Sequence, residues 1–283
     1  MKILITGVNG YIAQSFARYV KQEKADLINL ISVRDEKWKA TSFSDYDVVL
    51  HTAGLAHVRE TRHNQYDYYE INRDLAVDVA SKAKKDGVQQ FVFLSSMSVY
   101  GFTHLPKGVS VNADTPVKPT SNYGRSKLAA EGLLLELRDS TFKVAILRPP
   151  MVYGEGCPGN FRRLCGLVKK TAFFPDYENA RSMIYIQNLC TYIANIIEKG
   201  ADGLFFPRDD STICTSRMAI WIAESHGKPL RLTKAFNSTI DVLIPRVGTF
   251  SKIFGTLVID PSMPTGGEEK LIDVETAIRR SVL

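Results

Sequence analysis

Lys2-Ile3-Leu4-Ile5-Thr6-Gly7-Val8-Asn9-Gly10-Tyr11-Ile12-Ala13 opens as a short apolar, β-branched run, passes through a glycine turn and continues as a helix. The run from Lys2 to Thr6 reads as a buried strand. The helical pattern goes on through Phe16, Tyr19 and Val20. Strand, glycine turn and helix in that order offer free backbone N–H groups and a positive helix end to a pyrophosphate. Gly7 permits the tight turn, and Gly10 lets phosphates approach the backbone. Ala13 stands where a third glycine would ease the contact of helix with strand. Asn9, Tyr11 and Ile12 complete the expected cradle.

Outward from this unit, strand and helix alternate. Strands are expected at 2–6, 27–33, 47–52, 90–95 and 143–147, and helices at 10–22, 64–86 and 121–139. That alternation predicts an α/β fold, a doubly wound parallel sheet of the Rossmann type. Past Gly154 the pattern loosens into helices at 161–170, 188–199, with Thr215–His226 and a short final one at 272–283. The expected organisation is a dinucleotide-binding domain at 1–155 and a smaller, interleaved C-terminal part at 156–283 that mainly binds substrate. The 181–200 segment is expected to pack back on the sheet. Gly101 to Thr120, rich in Pro, Gly, Thr and Asn, reads as a loop over the site. The apolar stretch 236–260 reads as helices over the substrate pocket, with a membrane- or transferase-facing surface as the sharper alternative.

Three further segments carry chemistry. Phe91-Val92-Phe93-Leu94-Ser95-Ser96 is a strand that ends in hydroxyls, where ligands of an open parallel sheet collect. Ser121-Asn122-Tyr123-Gly124-Arg125-Ser126-Lys127 places Tyr123 and Lys127 four apart on one helix face. A nearby ammonium favours a phenolate, so Lys127 is expected to acidify Tyr123. Phe142 to Gly154 is another strand, whose rim carries Arg148, a residue suited to a phosphate or carboxylate. The second strand ends in Ser32 and Arg34 where an acidic residue would bind the ribose 2′-hydroxyl of NAD. Those two could instead take the 2′-phosphate of NADP, although Asp35 stands next door.

Together these segments resemble the extended short-chain dehydrogenase/reductase family, in its nucleotide-sugar epimerase branch, over nearly the whole chain. The resemblance implies that Tyr123 is the general acid/base, Lys127 its electrostatic partner and a ribose ligand, and Ser96 the hydroxyl that orients the sugar. It also implies that Thr52, Ala53 and Gly54 line the adenine side of the cofactor and that Asn72 borders it. Asn160 and Arg181 are implied substrate ligands, with Arg181 on the nucleotide diphosphate. The implied activity is NAD(P)-dependent 4-epimerisation of a UDP-hexose, in the supply of surface polysaccharide precursors. The alternatives are an NAD(P)H-dependent reductase of a nucleotide-linked 4-keto sugar, and a non-catalytic nucleotide-binding module. Dehydratases of the family carry Asp-Glu after the active-site hydroxyl. Met97 and Ser98 stand there instead, so dehydration is not expected. The implied cofactor is NAD or NADP. The implied partner is a second copy of the chain, docked through helices 121–139 and 64–86, where Leu128, Leu133, Leu134 and Leu137 serve either that contact or the core.

The 283 residues carry a formal charge of +6, with the basic side chains scattered. A phosphate-bearing substrate accounts for that excess, and no nucleic-acid partner is expected. Cys157, Cys165, Cys190 and Cys214 lack metal-ligand spacing and are expected as reduced thiols. His51, His57, His63, His104 and His226 are expected to be structural, and no metal site is expected. The glycine motif starts too close to Met1 to leave room for a leader, and no run is long enough to span a membrane, so the expected compartment is the cytoplasm.

Overall fold

The computed structural model describes every residue except 24–26, 57, 62, 103, 107, 268, 269 and 283. His57 therefore lies outside the described residues. From the N-terminus the chain lays down β1 (Lys2–Thr6), α1 (Tyr11–Glu23), β2 (Leu27–Ile31), β3 (Val48–His51), α2 (Gln65–Tyr69), α3 (Leu75–Lys85), β4 (Gln90–Leu94), α4 (Asn122–Glu136) and β5 (Lys143–Leu147). The second half adds β6 (Met151–Tyr153), α5 (Asn160–Lys170), β7 (Phe173–Pro175), β8 (Met183–Tyr185), α6 (Ile186–Glu198) and β9 (Gly203–Phe205). It closes with α7 (Thr215–Ser225), β10 (Arg231–Thr233), α8 (Asn237–Leu243), α9 (Gly248–Phe254) and α10 (Val274–Val282).

The main sheet is parallel, in the order β2-β1-β3-β4-β5-β9. The strand order reverses between β1 and β3. Beyond their carboxyl ends lies the crevice that open α/β sheets use for ligands. Strands β3 and β4 are buried along their whole length, as a parallel sheet covered on both faces requires. On one face Phe16 and Val20 of α1 pack with Leu189 and Ile193 of α6. On the other, Val79 and Ala83 of α3 pack with Ala130 and Leu134 of α4. Truncating one such buried leucine to alanine costs roughly 2–5 kcal/mol.

The C-terminal half reaches back into the sheet. Thr191 on α6 meets the Tyr19 hydroxyl at 3.4 Å, and Gln90 Nε2 donates to the Ile196 and Ala201 carbonyls at 3.0 and 2.8 Å. The sixth strand, β9, also comes from this half and pairs with β5 from Ala145↔Gly203 onward. Three residues that begin with glycine carry no readable alternation, so this strand was not expected. The paired short strands β6/β8 and β7/β10 escape the sequence for the same reason.

Two expected boundaries change. The second strand stops at Ile31, because Asp35 caps a tight turn over Glu36–Ala40 by accepting from Lys37 N at 3.1 Å. Trp38 of that turn is buried and stacks on Phe43 at 6.4 Å. The expected helix 64–86 is interrupted at Glu70–Asp74 by one π turn. Such turns insert a residue into a helix and often mark functional sites. Here the insertion carries Asn72, fully buried. In the 236–260 stretch, Ile240, Ile244 and Phe254 are buried, and Val242 and Val247 are exposed. Among the described residues no helix is long and apolar enough to cross a membrane, and no cluster of side chains could hold a metal ion.

Candidate active site

Gly7 follows β1 with φ +88°, a conformation that favours glycine. A Cβ there would stand 3.0 Å from Ala53 N, so the two strand ends approach to backbone contact. Gly10 N bonds to Gly7 O at 2.8 Å, and the first turn of α1 carries no acidic residue to repel a phosphate. Thr52 ties the crevice together by donating to Thr6 O at 2.6 Å. At Gly54 a Cβ would lie 2.9 Å from Asn72 Oδ1 and 3.3 Å from Lys127 Nζ. The glycine turn, the end of β3, Asn72 and Lys127 therefore form one continuous wall. A crevice of this make-up fits a dinucleotide: small residues at each close approach, and an acid-free helix end where the pyrophosphate would lie.

Asn72 is spent on shape. Its side chain accepts from Leu55 N at 2.7 Å and donates to Leu55 O and the Ser126 hydroxyl at 3.2 and 3.1 Å. It thereby clasps the loop after β3 to α4. On the rim beyond β2, Arg34 is exposed, and Arg34 N reaches the Ser32 hydroxyl at 3.4 Å. The carboxylate of Asp35 is turned to its own capped turn.

The first three N–H groups of α4 all have partners. Ser121 accepts from Gly124 N at 3.0 Å, while the Glu60 carboxylate accepts from Asn122 N and Tyr123 N at 2.9 and 3.1 Å. Glu60 was not singled out in the sequence, since 61–62 residues separate it from the amides that it caps. Tyr123 is half-buried, and the Ser96 hydroxyl hydrogen-bonds its phenol.

The expected acidification of Tyr123 is not what the structure contains. Burial pushes the phenol up; Ser96 opposes that, and Tyr68 adds to it. Lys127 is not among the groups acting on it. Its Nζ is turned to the Leu94 carbonyl at 2.7 Å and lies 4.5 Å from the Phe93 ring centre. Burial pushes Lys127 itself down to about 7, against the opposing pull of Glu131. His51 is buried behind it, pushed down to about 3 by burial and by Lys127, and hence neutral. Its Nδ1 shares a 2.9 Å hydrogen bond with Thr6.

The two arginines expected at the substrate part company. Arg148 is buried in an internal pair. Its Nε bonds to Glu131 at 3.1 and 3.2 Å, its Nη2 at 2.5 Å, and its Nη1 donates to the Tyr100 hydroxyl at 3.0 Å. That speaks against its expected role as a substrate ligand, because its charge is met by Glu131 inside the protein. Arg181 is as deeply buried but has no acidic partner among the described residues. Its Nη1 donates to Gly255 O and Ser251 O at 2.5 and 3.4 Å, and its Nε has no partner. Burial lowers it to about 10. A buried, uncompensated cation is costly, and an anionic ligand would relieve it. Asn160 opens α5 after Gly159.

A cleft of about 590 Å³ reaches Ala180, the chain neighbour of Arg181, and is lined among others by His104, Tyr177, Asn179, Asn237, Asp241 and Phe254. They come from three separate stretches: His104 lies in the expected loop over the site and Asn237, Asp241 and Phe254 in the expected pocket-covering segment, while Tyr177 and Asn179 carried no signal in the sequence. Tyr177 donates to Asp241 at 2.7 Å, and Phe254 packs edge-on to Tyr177 with ring centres 5.7 Å apart.

The profile of the NAD dependent epimerase/dehydratase family matches residues 3–204, from the glycine turn through β9. The chain belongs to the NAD dependent epimerase/dehydratase family. One relative within it is the UDP-glucose 4-epimerase of Vibrio cholerae, 31% identical over 252 residues, which cover 80% of this chain and 76% of that protein. Among solved structures, the UDP-glucuronic acid 4-epimerase of Bacillus cereus in complex with NAD superposes with a TM-score of 0.73 at 19% identity. The match covers 100% of this chain and 97% of that one. The RMD protein of Pseudomonas aeruginosa complexed with NADPH gives 0.77 at 16% identity, over 100% and 98% of the two chains. At such identities the structures speak for the fold alone.

Proposed function

We propose that this member of the family is an NAD(P)-dependent 4-epimerase of a UDP-linked hexose. The observation that carries the reading is the contact of Gly54 with Lys127 and Asn72 at the mouth of the glycine crevice. It sets the tyrosine-bearing helix against the wall where the coenzyme would lie. Gly7, Asn9, Gly10, Tyr11, Ile12, Thr52, Ala53, Gly54 and Asn72 would hold the dinucleotide, with Ser32 and Arg34 at its adenosine ribose. When bound, the nicotinamide supplies the hydride chemistry.

The rest is done by the chain's own residues. Tyr123 passes a proton to or from the sugar 4-oxygen. Ser96 holds that oxygen and the phenol in line. Lys127, four residues along the same helix face and turned to the Leu94 carbonyl, would hold the coenzyme ribose. Arg181 binds the diphosphate, and the cleft beside it takes the nucleoside. Met97 and Ser98 offer no acid/base group, which supports a reaction without loss of water. We place substrate recognition mainly in 156–283 and a homodimer contact on α4, where Leu133 and Leu135 are exposed. Of the two places open to Leu134, it takes the core.

A second reading is favoured by Arg34: reduction of a nucleotide-linked 4-keto sugar by NADPH, with Tyr123 as proton donor. Both readings meet one experiment. The dinucleotide that co-purifies is identified by mass, and the protein is then incubated with UDP-glucose without added cofactor. Formation of UDP-galactose supports the epimerase; an empty protein that consumes added NADPH only with a 4-keto sugar overturns it.

A further inference from the structure

Three consecutive residues at the end of β4 each hold one residue on a single face of α4. The Leu94 carbonyl accepts from Lys127, the Ser95 hydroxyl donates to Glu131, and Ser96 hydrogen-bonds Tyr123. Positions 123, 127 and 131 are four apart, so one stripe of the helix is docked residue by residue. Glu131 is 3% exposed and Arg148 6%, and Arg148 closes the far side of the Glu131 carboxylate from the end of β5. Ser95 N also bonds to Leu147 O at 2.7 Å, which fixes the two strand ends against each other.

We propose that Glu131, gripped by Arg148 and Ser95, is a positioning residue that docks the acid/base face of α4 on β4 and keeps the Lys127 ammonium charged in apolar surroundings. This rests on the reading of Tyr123 and Lys127 given above. Lys127 is faced by Glu131 on its own helix, by His51 from β3, by the Phe93 ring and Leu94 carbonyl from β4, and by the Asn72 amide from the π turn. Arg148 from β5 is reached through Glu131. Among these Glu131 is the one acidic group acting on the lysine. A buried pair that serves stability alone would be replaceable by uncharged side chains at little cost. A pair that also holds the lysine's proton would not.

The test is a pH titration of the lysine side-chain nitrogen by NMR on the full chain, with the Lys127 signal assigned by its loss in K127M. The variants are E131D, E131Q and the double swap E131Q/R148M. In the double swap neither charge is left buried alone. We expect E131D to keep the wild-type midpoint, and the two variants without the carboxylate to bind the Lys127 proton at least tenfold more weakly. Their hydride transfer, read with UDP-glucose and cofactor, should fade at a correspondingly lower pH. An unmoved Lys127 midpoint in folded E131Q, or in the double swap, overturns the proposal. Should Y123F and K127M leave hydride transfer intact, the reading of the active site falls while the titration result stands. Should they abolish it with the midpoint unmoved, the inference falls alone.

Discussion

Gly54 and Lys127 share a wall: a Cβ added to Gly54 would meet Lys127 Nζ at 3.3 Å and Asn72 Oδ1 at 2.9 Å. The end of β3 and the helix that bears Tyr123 are thus packed to the limit that glycine allows. We expect Gly54→Ala to push Asn72 or Lys127 aside and to lower kcat at least tenfold, while thermal unfolding shifts by only a few degrees. A kinetic assay beside a melting curve checks this. Full activity in the variant would mean that the wall has slack.

Arg181→Met should separate stability from binding. It removes a buried guanidinium that lacks an acidic partner, so the free protein should lose no stability. UDP should bind more weakly by at least tenfold, as charge-assisted contacts to the diphosphate disappear. Isothermal titration with UDP and a denaturant curve decide it. Unchanged UDP affinity would remove Arg181 from the substrate.

Asp209 gives a pH signature. It is buried, and it accepts from the Tyr153 hydroxyl, Tyr185 N and the Asn188 amide at 2.8, 3.0 and 2.8 Å. Burial raises it from 3.8 to about 6, against those hydrogen bonds. A folded value above the unfolded one means that the folded state holds the proton more tightly. The contribution to stability is then full below pH ~4 and is lost as pH rises through ~6, by about 3 kcal/mol in all. His51 works in the opposite sense: its folded value lies below the unfolded one, so its contribution is lost as pH falls below 6.5. Denaturant curves of wild type and Asp209→Asn from pH 4 to 7 isolate the first effect, because His51 is common to both. Wild type should gain on the variant as pH falls; a constant difference would show that Asp209 titrates normally.

Glu60→Ala should uncap α4. The two amides that it holds, Asn122 N and Tyr123 N, lose their partners, at a cost of about 1 kcal/mol. Hydrogen exchange at those amides should speed up while β1 and β4 stay protected. Unchanged exchange would mean that water replaces Glu60 without loss.

The sheet and its helices were legible because their signals are local. The glycine turn, the strand endings and the spacing of Tyr123 and Lys127 all lie within short windows. What the sequence hid is pairwise and distant. Arg148 looked like a ligand because its partner Glu131 lies on another element; Arg181 differs only in lacking one. The direction of Lys127 was likewise beyond spacing: i to i+4 sets which face a side chain shares, while the Leu94 carbonyl set where the ammonium points. β9 and the π turn at Asn72 depend on tertiary contacts and carry no periodicity of their own.

The most direct measurement compares wild type with Tyr123→Phe, at matched cofactor content, for conversion of UDP-glucose to UDP-galactose. Removal of the phenolic hydroxyl should lower kcat by roughly 10²–10⁴-fold with UDP affinity unchanged. A variant that turns over at the wild-type rate would contradict the role given to Tyr123 as the group that moves the proton.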